Sequence, residues 1–172
     1  MRSKLLEASK TLPVSVQDVK TFARIDHNDD DFLLEGLIKT AAAWVEEVTG
    51  KTLLKKKWVF THSNNEITLP HAPVIKILEV KSAGKVLKEK DYTVSHVRQT
   101  KRISMPFSWN TAKVSVTYTA GFGDKPSDIP ETLRHTVMST VTYIYENRYP
   151  TQQNCYQAVQ PWIAYNRSYG MA

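Results

Sequence analysis

The chain has 172 residues, 41% of them hydrophobic and 23% charged, with a formal net charge of +6. This composition is typical of a globular domain and excludes an extended disordered chain. The single cysteine, Cys155, excludes an internal disulfide and a cysteine-cluster metal site, and it favours synthesis in a reducing cytosol. With no apolar run of about 18 residues, the sequence predicts no membrane span, and its basic beginning lacks the apolar stretch of a secretory signal.

Two helices are predicted before residue 51. Ser15 and Asp18 have the spacing of a capping box, which opens a helix over about 15–24. Apolar residues then recur at helical spacing over about 29–49, and Gly50 follows where a left-handed C-cap is favourable.

The second helix is preceded by a cluster of acids that admits two interpretations. Asp26, Asn28 and Asp30 have the alternating spacing of the first ligands of a calcium loop. However, Asp31 stands where that loop requires glycine, and Leu37 where it requires a bidentate glutamate. The pattern therefore predicts helix capping and no metal site, with these capping residues: Ser15, Asp29, Asp30 and Asp31.

The region 52–120 changes to short alternating runs rich in β-branched and aromatic residues, which predict an antiparallel sheet. Ala83 and Gly84 mark a tight hairpin turn within it. A further helix is predicted over 130–148. The predicted fold is thus α+β, with an N-terminal helix pair, a small antiparallel β-sheet, a C-terminal helix and an extended C-terminal arm.

Residues 151–172 combine many aromatic side chains with no regular period, and they include Pro161. Two interpretations remain: a tail that wraps back on its own domain, or an arm that docks on a partner. Aromatic residues and arginine are the usual anchors of protein interfaces. We therefore predict a core domain over 1–150 and a docking arm over 151–172, with these anchors: Trp162, Tyr165, Arg167 and Tyr169.

Motifs for catalysis or cofactor binding are missing from the sequence. The glycines near residue 122 lack the remainder of a phosphate or dinucleotide motif, and the five histidines show no metal-ligand spacing. Cys155 has no evident activating neighbour. The basic run Lys55–Lys57 could contact nucleic acid, but alternation splits it between two faces, and lysines on an edge strand also prevent aggregation. We expect no enzymatic activity and no cofactor.

Several stretches, taken in order over about 14–148, resemble the head–tail connector (adaptor) proteins of long-tailed bacteriophages. The most specific are the Asp29–Asp31 acids before the long helix, Leu69-Pro70 with Pro73-Val74, and Tyr118 with Gly121 and Gly123; to these are added Ile129-Pro130 and the run Tyr145-Glu146-Asn147-Arg148.

The resemblance implies a structural virion protein at the head–tail interface. Such proteins form a ring, commonly a dodecamer, beneath the portal protein, and the ring extends the DNA channel towards a tail-completion (stopper) protein. DNA would pass without specific binding. A ring needs heterologous contacts, for which the second helix offers Trp44, Glu46 and Glu47. The alternative is a DNA-binding or packaging accessory module that uses the positive charge.

Overall fold

The computed structural model describes residues 2–106, 113–147 and 152–166. The chain divides into two compact units. The sheet unit comprises Met1–Ser9 and Lys55–Phe122, and the helical unit comprises Lys10–Leu54 and Gly123–Ala172.

Four α-helices are present in the described part of the helical unit: α1 (Val16–Ala23), α2 (Asp31–Thr49), α3 (Glu131–Glu146) and α4 (Gln152–Asn166). Helix α3 contacts each of the other three. Apolar residues spaced three or four apart fill the space between the helices, among them Leu34, Ile38, Ala41 and Val45 from α2, Leu133, Val137 and Val141 from α3, and Val159 and Ile163 from α4.

Local sequence signals account for the ends of α1 and α2. The Ser15 hydroxyl accepts a hydrogen bond from the Asp18 N–H at 3.0 Å, and the Asp18 carboxylate accepts one from the Ser15 N–H at 3.1 Å. Gly50 ends α2 with a φ of 68°, and its N–H donates to the Glu46 carbonyl at 2.9 Å.

The sheet unit contains eight strands among its described residues, and all their pairings are antiparallel. A five-stranded sheet has the order β1 (Arg2–Glu7), β2 (Lys56–His62), β8 (Val114–Ala120), β4 (Val74–Ser82) and β5 (Lys85–Val86). A three-stranded sheet has the order β3 (Glu66–Thr68), β7 (Thr100–Ser104) and β6 (Thr93–Val97). The two sheets share one buried cluster that includes Phe60, Ile67, Ile103, Val116 and Tyr118.

The structure confirms the α+β class, the N-terminal helix pair, the antiparallel strands and the helix before residue 148. It also confirms the hairpin turn, since Ala83 and Gly84 both have positive φ values, 47° and 80°, as a two-residue turn of this kind requires. The strands form two sheets, not one, because the short strands β3, β6 and β7 pair only among themselves.

Two strand assignments differ from the sequence predictions. Residues 2–7 form β1, although no element was predicted there; every residue of this edge strand is exposed, so it has no burial pattern to read. Strand β2, which carries the basic run, lies between β1 and β8. The proposed edge-protecting role of its lysines is therefore wrong, and the edge position belongs to β1 with Arg2 and Lys4.

The segment predicted to be an extended arm is helical over Gln152–Asn166, with Pro161 inside the helix. Cys155, Val159 and Ile163, spaced four residues apart, are buried, and α4 contacts α3 and α2. A proline inside a helix costs about 3 kcal/mol, but burial of an apolar stripe supplies most helical stability in proteins. Packing within the helical unit thus overrides the local signal against a helix.

Candidate interaction surfaces

Two of the acids before α2 make tertiary contacts with their side chains. Asp30 occupies the N-cap position, but its side chain makes no cap hydrogen bond. Its carboxylate instead accepts a hydrogen bond from the Tyr145 hydroxyl of α3 at 2.6 Å. Asp30 therefore stands at the predicted cap position, but its side chain bonds to α3 and not to a backbone N–H of α2.

Asp31 forms a salt bridge with the buried Lys20 of α1. Lys20 is only 5% exposed, and its ammonium donates to the Asp31 carboxylate at 2.8 Å and to the Asn28 side chain. A buried ammonium requires such partners, because an unpaired buried charge is costly. Asp31 still stands in the first turn of α2, where a negative charge complements the helix dipole. Asp29 is exposed at the surface.

Within the described ranges no group of three metal-ligating side chains is placed to hold a metal ion, and no helix has the length and apolar character to cross a membrane. Cys155 is buried, and burial raises the pKa of its thiol. A thiol with a raised pKa is a poor nucleophile at neutral pH.

An aromatic row crosses three helices of the helical unit. The rings of Phe22 from α1 and His135 from α3 meet edge to face with centroids 5.0 Å apart, and the His135 and Trp162 ring centroids lie 4.5 Å apart. Phe22 is 39% exposed and Trp162 is 40% exposed. The row therefore presents rigid aromatic surface at a fixed position on the unit.

The first turn of α2 exposes more apolar surface. Phe32 is 91% exposed and Leu33 is 50% exposed, whereas Leu34 beside them is fully buried. Leu33 lies on the outer flank of the apolar stripe of α2, because the residues that face inward are those spaced as Leu34, Ile38 and Ala41.

Three residues of α2 were predicted to make ring contacts, and they differ in accessibility. Glu47 is exposed and Trp44 is half-buried. Glu46 is half-buried, and its carboxylate accepts a hydrogen bond from the Leu53 N–H at 2.8 Å. This bond fixes the chain that leaves α2, a local role that the sequence pattern did not indicate.

Two of the four predicted anchors of the arm lie near the end of α4. Trp162 belongs to the aromatic row, and Tyr165 lies in the last turn, where only its backbone is described. Arg167 and Tyr169 lie outside the described residues. Phe22, His135 and Phe32 were missed, because an aromatic residue at helical spacing reads as core until neighbouring helices show which face is covered.

Comparison with known proteins confirms the resemblance seen in the sequence. A profile of the family described as "Head completion protein" matches residues 13–159. No curated protein matches.

Solved structures show the same fold. One similar chain belongs to the "Virion of native gene transfer agent (GTA) particle", with a TM-score of 0.78 and 18% identity. Others belong to the "Neck of empty GTA particle computed with C6 symmetry", at 0.76 and 18%, and the "Neck of native GTA particle computed with C12 symmetry", at 0.74 and 19%. Each alignment covers 100% of this chain and 98% of the other. Because the family profile spans most of the sequence, the chain belongs to the head completion protein family and is a structural head–tail connector protein of the virion.

Proposed function

We propose that the protein assembles into a twelve-membered ring beneath the portal of a phage-type capsid, extends the DNA channel and receives a tail-completion protein on its far side. It performs this task by binding alone, without catalysis. Two of the similar chains come from neck structures computed with C6 and C12 symmetry, and both symmetries are compatible with twelve copies around one axis.

The observation that carries this proposal is the exposed aromatic surface of the helical unit. Phe32 is 91% exposed, and the row of Phe22, His135 and Trp162 adds aromatic surface supplied by three different helices. Aromatic side chains bury large areas with little loss of conformational entropy, so they are typical anchors of interfaces. A protein that assembles with partners requires exposed surface of this kind.

We assign portal docking to α4 and the residues that follow it. The Trp162 indole packs against the His135 imidazole within the subunit. Its side chain is therefore positioned before any partner binds. Preorganisation of this kind reduces the entropic cost of association. Tyr165, Arg167 and Tyr169 continue the same segment and remain proposed anchors beside Trp162.

Lateral contacts between copies are assigned to α2. The exposed Glu47 and half-buried Trp44 lie outside the packed stripe of this helix, and Phe32 and Leu33 extend its exposed surface at the other end. A closed ring uses a heterologous contact, in which a patch of one subunit meets a different patch of its neighbour. Glu46 contributes indirectly, by fixing the chain after α2.

The test is reconstitution on purified portal rings, followed by electron microscopy and by sedimentation to measure the bound fraction. The wild-type protein should add a ring of density to the portal. Trp162→Ala should weaken attachment by at least about 30-fold per contact, since an anchor worth about 2 kcal/mol corresponds to that factor.

Val94→Ala is the matched control, because it removes an exposed apolar side chain from the three-stranded sheet. It should attach as the wild type does. Normal attachment by Trp162→Ala would refute the docking role of α4, and a wild-type protein that adds no ring to portals would refute the proposed function itself.

A further inference from the structure

The outer face of the five-stranded sheet, which points away from the buried cluster, is basic. Strand register places the side chains of Arg2, Lys4, Lys57, Lys76 and Lys81 on this face, since their paired positions alternate with the buried residues of β2, β4 and β8. Every paired residue of the face is at least partly exposed.

Charge on this face is only partly compensated. Its acids are Glu7, whose register partner is Lys57, and Glu79, whose carboxylate lies 2.6 Å from the Lys81 ammonium. Arg2, Lys4 and Lys76 add positive charge at both sides of the sheet, on β1 and β4. The central strand β8 supplies hydroxyl side chains between them, Ser115, Thr117 and Thr119; the Thr119 hydroxyl donates to the Lys76 carbonyl at 3.4 Å, so Ser115 and Thr117 are the candidate phosphate donors.

The three-stranded sheet provides an internal comparison. Its outer face is also mostly polar, but its paired charged residues are one arginine, Arg102, and one glutamate, Glu66; the others are Thr68, Thr93, Ser95, Val97, Thr100 and Ser104. A polar outer face therefore does not by itself require an excess of lysine. The excess is particular to the five-stranded sheet.

We propose that the outer face of the five-stranded sheet contacts the phosphate backbone of duplex DNA, weakly and without sequence preference. Lysine and arginine side chains bind phosphates by charge, and serine and threonine hydroxyls are common phosphate donors that carry no sequence information. The face also carries Val59 beside Lys4 and Val86 beside Lys81. It offers no recognition helix or ribbon to enter the major groove, so it reads no bases.

The arrangement also explains why the contact is weak. Glu7 and Glu79 interrupt the positive field, and the lysines are long, flexible point charges that lack the rigid fork of arginine. Such a face attracts DNA and lets it move past. This inference deepens the proposed channel function, but it concerns a different unit of the chain from the portal contact.

The test measures binding of a fluorescent duplex of random sequence to the full-length protein over a series of salt concentrations. The variant Lys4→Gln/Lys57→Gln/Lys76→Gln removes three cations from the outer face. The control Lys39→Gln/Lys88→Gln/Lys90→Gln removes three exposed lysines elsewhere, so both variants have the same net charge. Circular dichroism melts establish that both are folded.

The wild-type protein should bind at low salt, and its affinity should fall steeply with salt. The outer-face variant should lose at least tenfold in affinity, and its salt slope should decrease by about one for each lysine that contacts phosphate. The control should keep the wild-type slope. Equal loss in both variants, or no binding at low salt, would overturn the proposal.

A third result would also overturn the DNA-contact proposal. If the outer-face variant binds DNA normally but no longer joins heads to tails, the face contacts an acidic protein partner. Portal attachment is scored separately with Trp162→Ala, so failure here is distinguishable from failure of the proposed function.

Discussion

Gly123 shows how one residue controls the entry to α3. A Cβ atom at this position would overlap the Asp128 Oδ2 atom and lie 2.6 Å from the Asp128 Cβ atom, which is a steric clash. The Asp128 carboxylate accepts a hydrogen bond from the Lys125 N–H at 2.9 Å. Gly123→Ala must therefore displace the carboxylate and weaken the turn at Pro126–Asp128. We expect a loss of about 1–3 kcal/mol in the free energy of unfolding, measured by chemical denaturation.

Gly36→Ala is the matched control for this substitution. Gly36 lies inside α2 with nothing within 4 Å of an added Cβ, so alanine gains helix propensity at no steric cost. We expect Gly36→Ala to stabilise the protein by about 1 kcal/mol. Destabilisation of similar size by both variants would contradict the steric explanation for Gly123.

His71 makes the stability of the sheet unit depend on pH. Its ring stacks on Trp58 at 3.7 Å between centroids, and its Nε2 lies 2.7 Å from the Ser3 hydroxyl of β1. Burial, together with the nearby Lys56 charge, lowers the pKa of His71 from 6.5 to about 4. Below pH 6.5 the unfolded chain therefore takes up a proton that the folded chain does not.

Stability from this histidine is fully present above pH 6.5 and is lost as the pH falls towards 4. One proton limits the slope to about 1.4 kcal/mol per pH unit, and solvent around the partly exposed ring reduces it further. Thermal unfolding from pH 7.5 to 4 should show a flatter dependence for His71→Gln than for the wild type. His96→Gln, which removes an exposed histidine of β6, is the matched control; a dependence flattened equally by both substitutions would contradict this role of His71.

At the scale of the element, α4 separates a packing face from a binding face at two adjacent residues. Ile163 is fully buried, whereas Trp162 beside it is 40% exposed. We expect Ile163→Ala to cost about 2–5 kcal/mol of stability through the cavity it leaves. Trp162→Ala should cost much less stability and should instead impair portal attachment.

Melting temperatures and the portal assay measured on both variants test this division. An Ile163→Ala protein with wild-type stability would show that α4 is not part of the helical unit. Removal of residues 151–172 should likewise lower the melting temperature, because Cys155, Val159 and Ile163 are all buried. An independent extended arm would instead be removable without loss of stability.

For the whole molecule, the two units suggest a division of labour. The exposed aromatic residues Phe22, Phe32 and Trp162 belong to the helical unit, while the uncompensated lysines belong to one face of the sheet unit. Protein contacts and DNA contacts would thus use different chemistry on different units. In a ring each contact repeats, so a modest loss per subunit multiplies into loss of assembly.

Local sequence was sufficient to predict an element wherever its short-range signal agrees with the packing of the folded protein. Ser15 with Asp18 predicted the start of α1, Gly50 predicted the end of α2, and alternation predicted antiparallel strands within 52–120, where β2, β4 and β8 lie. The family resemblance was also readable, because it depends on turn and cap residues in a fixed order. These features are set by backbone geometry within a few residues.

Only the tertiary structure determines the features that depend on which other element a side chain or strand faces. The sequence pattern predicted Asp30 and Asp31 as helix caps. Their carboxylates instead accept hydrogen bonds from residues of other helices, Tyr145 for Asp30 and Lys20 for Asp31. The segment around Pro161 was predicted to be irregular. It is a helix because its apolar stripe packs against α3, and that burial stabilises the helical conformation. Only the strand order shows that β2 is internal and that lysines from β1, β2 and β4 share one face. Periodicity fixes which residues of one element point the same way; pairing between elements fixes whether that direction is core or surface.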